Sequence, residues 1–441
     1  MPVRNVLYIH SHDTGRWISP YGYAAPTPHL QTLAEDGVVF RAAFSMAPTC
    51  SPSRVALLTG MAPHSAGMLG LAHRGFRLND DHQHLASYLG QHGWETVLCG
   101  VQHEAPHDAV PFYQHSLHGG PHVSGDDAGV AQQDMANARA AADYLRQPHR
   151  RPFFLSFGML STHRDFPPAD PDIDPAYVAL PHSLVDTAEN RADMAGFLTA
   201  TRVVDRCVGM LLAALHESGR IDDTLIVYTT DHGPPFPGMK CTLHDGGIGV
   251  ALLVRVPGLR TPQRAIDALV SQIDLFPTVC ELADVPPPAW LQGVSLVPLL
   301  AGRAPRVREQ IFAEVTFHAA YEPMRCIRTE RYKFIRRFDE RNRPVPANVD
   351  DSPGKELLIA AGWLDRPCER ALLFDLALDP VERINRITEP GYAAVRRDLE
   401  QQLERWMQAT NDPLLHGPVR KPPGAVVNTR DCLSPSMAEY E

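Results

Sequence analysis

Cys50-Ser51-Pro52-Ser53-Arg54-Val55-Ala56-Leu57-Leu58-Thr59-Gly60 reads as a tight turn feeding a short helix: a proline two residues after the cysteine, an apolar run, then a glycine stop. The pattern puts Cys50 at a helix N-terminus, where unpaired N–H groups and the macrodipole favour anions. Arg54 follows one helical turn later and returns to the same face, where it can neutralise charge developing at the cysteine. A nucleophile beside an anion site is one reading of this spacing. A buried cysteine capping a helix next to a surface arginine is the other.

Outward from this turn, strand and helix signals alternate. Val6 to His10 is a short, apolar, β-branched run of the kind that forms a buried parallel strand. It ends in Ser11-His12-Asp13-Thr14-Gly15, polar side chains just past a strand's carboxyl end, where open α/β sheets place their sites. Pro28 to Gly37 is an amphipathic helix with a glycine stop, and Val38-Val39-Phe40 follows it. Further signals fall at Leu85 to His92, Thr96 to Gly100, Met135 to Gln147, Phe153 to Gly158, Ala192 to Ser218, Thr224 to Thr230, Val250 to Val256 and Ile273 to Ala283. The alternation predicts an α/β fold over residues 1–310, doubly wound about a mostly parallel central sheet. Beyond it, Phe312 to Val315, Met324 to Arg328, Tyr332 to Ile335 and Leu372 to Leu376 read as antiparallel strands, and a helix runs from about Pro390 to Gln408. Residues 311–441 are therefore expected to form a smaller α+β C-terminal subdomain. Residues 104–130 and 165–190 break the rhythm as long loops; with 317–370 they are expected to carry specificity.

The net charge of −10, from 51 acidic against 41 basic residues with no basic block, argues against nucleic acid as a partner. No apolar stretch approaches the roughly 18–20 residues of a membrane span, and the first residues lack a signal-peptide pattern. The eight cysteines have no C-x-x-C spacing, which argues against a zinc cluster and fits a reducing compartment. The expectation is a cytoplasmic protein without a membrane partner; assembly into a homo-oligomer stays open.

The eleven residues from Cys50 resemble, position for position, the signature (C/S)-x-P-S-R-x-x-x-L-T-G of the type I sulfatases in the alkaline phosphatase superfamily. Asn5 to Ile9 is similar to that family's opening strand, Thr27-Pro28-His29-Leu30 to its T-P-N/H-L helix start, and Tyr228-Thr229-Thr230-Asp231-His232-Gly233 to its T-S-D-N/H-G strand end. Lys240 to Ile248 resembles K-x-x-L-Y-E-G-G-I, and Leu373 to Leu376 with Asp379 to Glu382 resembles the C-terminal E-L-Y-D-L-x-x-D-P-x-E stretch. Gly233 to Pro237, Cys50 to Arg54 and Glu322 to Arg325 look most like the heparan N-sulfatases, or sulfamidases.

The resemblance implies an alkaline phosphatase-like fold, and a Cys50 oxidised by a formylglycine-generating maturation enzyme to 3-oxoalanine (formylglycine), whose hydrated aldehyde attacks sulfur. It implies one divalent metal held by His12, Asp13, Asp231 and His232. Most sulfatases carry two aspartates where this chain has His12-Asp13, a hard oxygen site suited to Ca2+. The two imidazoles shift the preference toward Mn2+ or Zn2+. Cys50, Arg54, His103, His163 and Lys240 are then the catalytic residues, with His163 or Lys240 protonating the leaving atom and His103 acting on the formylglycine hydroxyl. Arg164 resembles the arginine that faces substrate in sulfamidases, and Gln102 can donate to the sulfate. The family's G-K-x-H is Gly100-Val101-Gln102-His103 here, so Val101 stands where a sulfate-clamping lysine is usual.

The implied activity is hydrolysis of a sulfate ester or sulfamate, releasing sulfate from a small sulfated molecule or oligosaccharide. Two alternatives stay open. A phosphonate monoester or phosphodiester hydrolase of the same superfamily also has the C-x-P-x-R-type motif and lacks that lysine. A non-catalytic anion-binding relative would leave Cys50 unmodified.

Overall fold

The strand β1 (Asn5–Ser11) is buried at all seven positions. Val6 and Tyr8 pack into one hydrophobic cluster and Leu7 and Ile9 into another, so alternate side chains feed cores on opposite faces of one sheet. That two-sided burial is why the run is uniformly apolar.

The computed structural model describes residues 3–106, 110–118, 127–259 and 263–441. The remaining strands are β2 (Val38–Phe40), β3 (Ala43–Phe44), β4 (Glu95–Gly100), β5 (His115–Leu117), β6 (Phe153–Gly158), β7 (Thr224–Thr230), β8 (Leu252–Arg255), β9 (Ala265–Ile266), β10 (Val270–Ser271), β11 (Gln310–Phe317), β12 (Tyr321–Thr329), β13 (Tyr332–Arg337) and β14 (Ala371–Asp375). The large sheet has the order β5-β4-β6-β1-β7-β8-β2-β9. Its middle, β4-β6-β1-β7, is parallel, with β1 hydrogen-bonded to β6 on one side and β7 on the other. The strand β8 runs antiparallel to both β7 and β2. Between β7 and β8 only the single turn Asp245–Ile248 is helical, and without a crossover helix the chain returns in the opposite direction.

A second sheet, β11-β12-β13-β14, is antiparallel throughout. The helix Ala393–Ala409 covers it, placing Leu399, Leu403 and Met407 against Ile327, Phe334 and Leu373. No helix of the described residues is long and apolar enough to cross a membrane. The anticipated loop 104–130 lies partly outside the described residues; within it β5 pairs with β4, and a helix starts at Asp127.

Candidate active site

The parallel strands β4, β6, β1 and β7 run their carboxyl ends to one edge, and the chain leaving each carries a polar cluster: His103, His163, His12-Asp13 and Asp231-His232. The helix Cys50–Thr59 brings its first residue to the same place. Each residue of its motif has a job there. Thr49 is extended, so the helix opens at Cys50, and Gly60 closes it at φ 69° with its N–H on Ala56 O. A Cβ at Gly60 would lie 2.5 Å from Leu291 Cδ2. Ser51 Oγ accepts the Ala72 N–H at 3.0 Å, and Ser53 Oγ donates to Asp231 O at 2.5 Å, tying the helix to the end of β7.

Arg54 is 1% exposed, a buried guanidinium where the sequence left a surface one open. It donates to Asp231 Oδ2 at 2.9 Å, to Ser11 O at 3.2 Å, and to His10 Nδ1. Against the upward push of burial, Arg54, with His232 and His12, holds the Asp231 carboxyl far below its ordinary range. Arg54 thus acts from beneath the site, keeping a buried carboxylate ionised. His10 escaped the sequence reading because nothing local marks it as Arg54's partner.

Asp13, at φ 51°, splits its carboxylate. Oδ1 lies 2.7 Å from His12 Nδ1 and 3.2 Å from His232 Nε2, while Oδ2 lies 2.8 Å from Lys240 Nζ. His12 Nδ1 is also 3.3 Å from Asp231 Oδ2, and His232 Nε2 is 3.8 Å from it. His232 Nδ1 donates to Gly233 O at 2.9 Å, which turns the Nε2 lone pair inward. Separations near 3 Å are those of donors sharing one ion at bonds of about 2.1 Å. His12, Asp13, Cys50 and Asp231 have ligand atoms within 4.8 Å of one another. Burial lowers the His12 imidazole to about 4, so it is neutral at pH 7, as a ligand must be. Three of the four expected ligands, His12, Asp13 and Asp231, therefore gather with Cys50 Sγ in one group that suits a divalent ion, and His232 Nε2 borders it 3.5 Å from Cys50 Sγ.

Burial pushes the Cys50 thiol well above its ordinary value, with Lys240 opposing. An activated cysteine needs the reverse shift. The thiol itself is a poor nucleophile here.

His103 Nδ1 lies 3.1 Å from His12 Nε2, and the His163 ring meets the His12 ring edge-on at 4.7 Å. His163 Nδ1 is 2.5 Å from Arg164 O; a carbonyl only accepts, so Nδ1 carries the proton and Nε2 is the basic nitrogen.

The two side chains anticipated as substrate contacts have partners within the chain. Gln102 Oε1 accepts from Glu104 N and Ala105 N at 2.6 and 2.7 Å, and its Nε2 donates to Ala105 O and Pro106 O. Its amide shapes the turn after His103. Arg164 is locked bidentate on Asp193 at 2.8 and 2.5 Å, donates from Nε to Pro235 O at 3.0 Å, and lies over Phe166. Its charge is neutralised in place.

Two residues went unnoticed in the sequence. Asp350 Oδ2 is 2.9 Å from Lys240 Nζ, so the ammonium bridges Asp13 and Asp350. His318 is 5% exposed, and its Nδ1 has no partner among the described residues. Both come from beyond β11, more than 70 residues after Lys240 in the chain, and no local motif signals them.

The sulfatase family profile matches residues 4–285, and the profile of the N-sulphoglucosamine sulphohydrolase C-terminal region matches residues 239–346. Human N-sulphoglucosamine sulphohydrolase is 29% identical to the chain, over 94% of it and 92% of the human protein. A protein solved in complex with its substrate D-glucosamine-2-N,6-O-disulfate superposes with a TM-score of 0.73 at 18% identity, covering 95% of this chain and 100% of the other. The phosphonate monoester hydrolase of Agrobacterium radiobacter superposes with a TM-score of 0.74 at 22% identity, covering 96% of this chain and 100% of its own. At those identities the two structural likenesses speak for the fold alone, which is alkaline phosphatase-like. The sulfatase profile spans well over half of the sequence and includes every expected site residue: the chain belongs to the sulfatase family and is a sulfuric ester hydrolase.

Proposed function

We propose that the chain is a formylglycine-dependent sulfatase acting on a small sulfated amino sugar, with an N-sulfate as the favoured bond. The observation that carries the reading is the convergence of Asp13, Asp231, His12, His232 and Lys240 on Cys50. The sugar class is supported by the match of residues 239–346 to the N-sulphoglucosamine sulphohydrolase C-terminal region.

A divalent ion held by Asp13, Asp231, His232 and His12 supplies Lewis-acid stabilisation of charge on the sulfate oxygens, and formylglycine at position 50 supplies a hydroxyl nucleophile. The chain's own residues do the rest. Arg54 keeps Asp231 ionised and oriented. Lys240 stands beside Asp13 as the cation nearest the nucleophile's surroundings, a task the missing lysine at Val101 leaves to it. His163, with Nδ1 committed to Arg164 O, delivers a proton from Nε2 as the imidazolium. His103, tied through Nδ1 to His12, takes a proton on the nucleophile's side.

Arg54 and Lys240 face Asp13, Asp231 and Asp350, and with a divalent ion and the imidazolium of His163 the site carries net positive charge, which suits an anionic substrate. Sulfate monoesters and sulfamates are monoanions. Phosphonate monoesters are also monoanions, and Val101 keeps that second reading in play.

The test is peptide mass spectrometry at position 50 on enzyme from its native host, with metal analysis and assays for released sulfate and phosphonate. Conversion of Cys50, a mass lower by about 18 Da, with sulfate release from glucosamine N-sulfate supports the proposal. Release of phosphonate without sulfate sinks it. All eight cysteines are free thiols, which fits a cytoplasmic enzyme served by a formylglycine-generating partner.

A further inference from the structure

The floor of the site is built by the large sheet, but one wall comes from the C-terminal subdomain. The hairpin β11/β12 carries a register shift between Val315 and Phe317, and its turn presents His318. Its surroundings hold this turn on three sides. Arg74 donates to Ala319 O at 3.4 Å and to Asn428 Oδ1 at 2.6 Å, and Asn428 N donates to Ala319 O at 2.8 Å. Asn348 accepts the Ala320 N–H at 2.9 Å, donates back to Ala320 O at 3.3 Å, and donates to Glu322 Oε2 at 2.9 Å. Asn348 sits in the same short turn as Asp350. One side chain therefore clips the His318 turn to the Asp350 turn.

His318 keeps an unpaired ring nitrogen among the described residues, and the partner of Asp350 is the site's own Lys240. His318 is nearly fully buried, its Nδ1 has no partner among the described residues, and the groups whose charge acts on it are Lys240, Asp350, His232 and Arg74. A buried imidazole nitrogen left unmade costs stability unless something pairs with it. Asp350 ion-pairs with Lys240, and its carboxylate feels His163, the proton donor to the leaving group. Asp350 thus stands beside Lys240 and acts on His163, the two groups assigned to the leaving group, and His318 shares the field of Lys240 and Asp350.

Resting on the sulfatase reading above, we propose that His318 and Asp350 form the specificity contact for the leaving group, pairing with the hydroxyl and amine hydrogens of an uncharged or cationic amino sugar. A carboxylate acceptor suits an amine that leaves as ammonium, and it repels a uronate carboxylate. The imidazole nitrogen pairs with a ring hydroxyl. An aryl leaving group offers neither partner, so the pair discriminates by leaving polar groups unmatched, the strongest form of selectivity a pocket has.

The test uses equilibrium binding as well as turnover. Glucosamine N-sulfate and 4-nitrophenyl sulfate are titrated into the full-length Cys50→Ala protein and into the same protein carrying His318→Phe or Asp350→Asn, with melting temperatures as the folding control. The expected result is a fall of tenfold or more in the ratio of sugar to aryl affinity, mirrored in the kcat/KM ratio of the active enzymes. An unchanged ratio in both folded variants overturns the proposal, even if absolute affinities drop together. If the wild type releases sulfate from neither compound, the proposed function fails, and the binding ratio still decides this assignment.

Discussion

Lys240 Nζ lies 2.8 Å from Asp13 Oδ2, while the other oxygen of the same carboxylate is turned to His12 and His232. Asp13 thereby presents one oxygen to two imidazoles and the other to an ammonium. Against burial, Lys240 and the two imidazoles keep its carboxyl well below the ordinary range. Lys240→Met keeps the side chain's bulk and removes the charge. It should lower kcat by about a hundredfold to a thousandfold, the scale of losing one preorganised donor. Metal content measured on the same sample should persist; its loss would mean that the lysine matters to the ion and not to the sulfate.

Arg54 is 1% exposed and Asp231 3%. Removing one partner of a buried pair strands the other charge, at about 3–5 kcal/mol. Arg54→Ala should therefore lower the urea midpoint sharply and reduce soluble yield. Arg54→Lys should recover only part, because an ammonium cannot reproduce a fork that reaches His10, Ser11 and Asp231 together. Full recovery of wild-type stability by Arg54→Lys would show that the fork geometry is immaterial.

Much of this was legible in the sequence because it is written locally. The apolar run at Val6 to Ile9, the helix stop at Gly60 and the polar pairs beyond β1 and β7 follow from periodicity and turn chemistry over a few residues. The partners of Gln102 and Arg164 were unreadable for one reason. Both have suitable side chains at suitable positions, yet their partners are the loop's own backbone and Asp193, which lies 29 residues from Arg164. His318 and Asp350 were unreadable for the complementary reason. They reach the site only because a second sheet docks beside it and Asn348 joins two turns. Tertiary contacts of that range leave no trace in a local pattern.

Glu104 gives a pH prediction independent of the metal. Burial pushes its carboxyl up to about 8, outweighing Arg54, and Oε2 has no partner among the described residues. The folded chain keeps this proton where the unfolded chain has lost it. Stability is therefore complete below the unfolded carboxyl value of about 4.3 and falls as pH rises toward 8. Glu104→Gln, which cannot ionise, should melt higher than wild type at pH 8.5, by an amount on the order of a few kcal/mol in stability. At pH 4 the two should nearly coincide. A constant offset across that range would show that Glu104 does not titrate in it.

The final prediction concerns the ion. Asp13 and Asp231 offer hard oxygens, His12 and His232 offer nitrogens, and His12 is the ligand that departs from the two-aspartate pattern. Manganese or zinc added to chelator-treated protein should raise its melting temperature, since an ion bound only by the folded state adds about 2.7 kcal/mol at a hundredfold excess over its Kd. Calcium should do less. His12→Asp restores a third carboxylate and should reverse that order, because calcium prefers oxygen and tolerates an irregular shell. The same change removes the nitrogen that His103 Nδ1 faces at 3.1 Å, so the variant should gain calcium without regaining full turnover. Thermal shifts with each ion, read beside sulfate release, separate the two effects. If His12→Asp leaves the ion order untouched, His12 is not a ligand, and its place is in the hydrogen-bonded chain from His103 to Asp13.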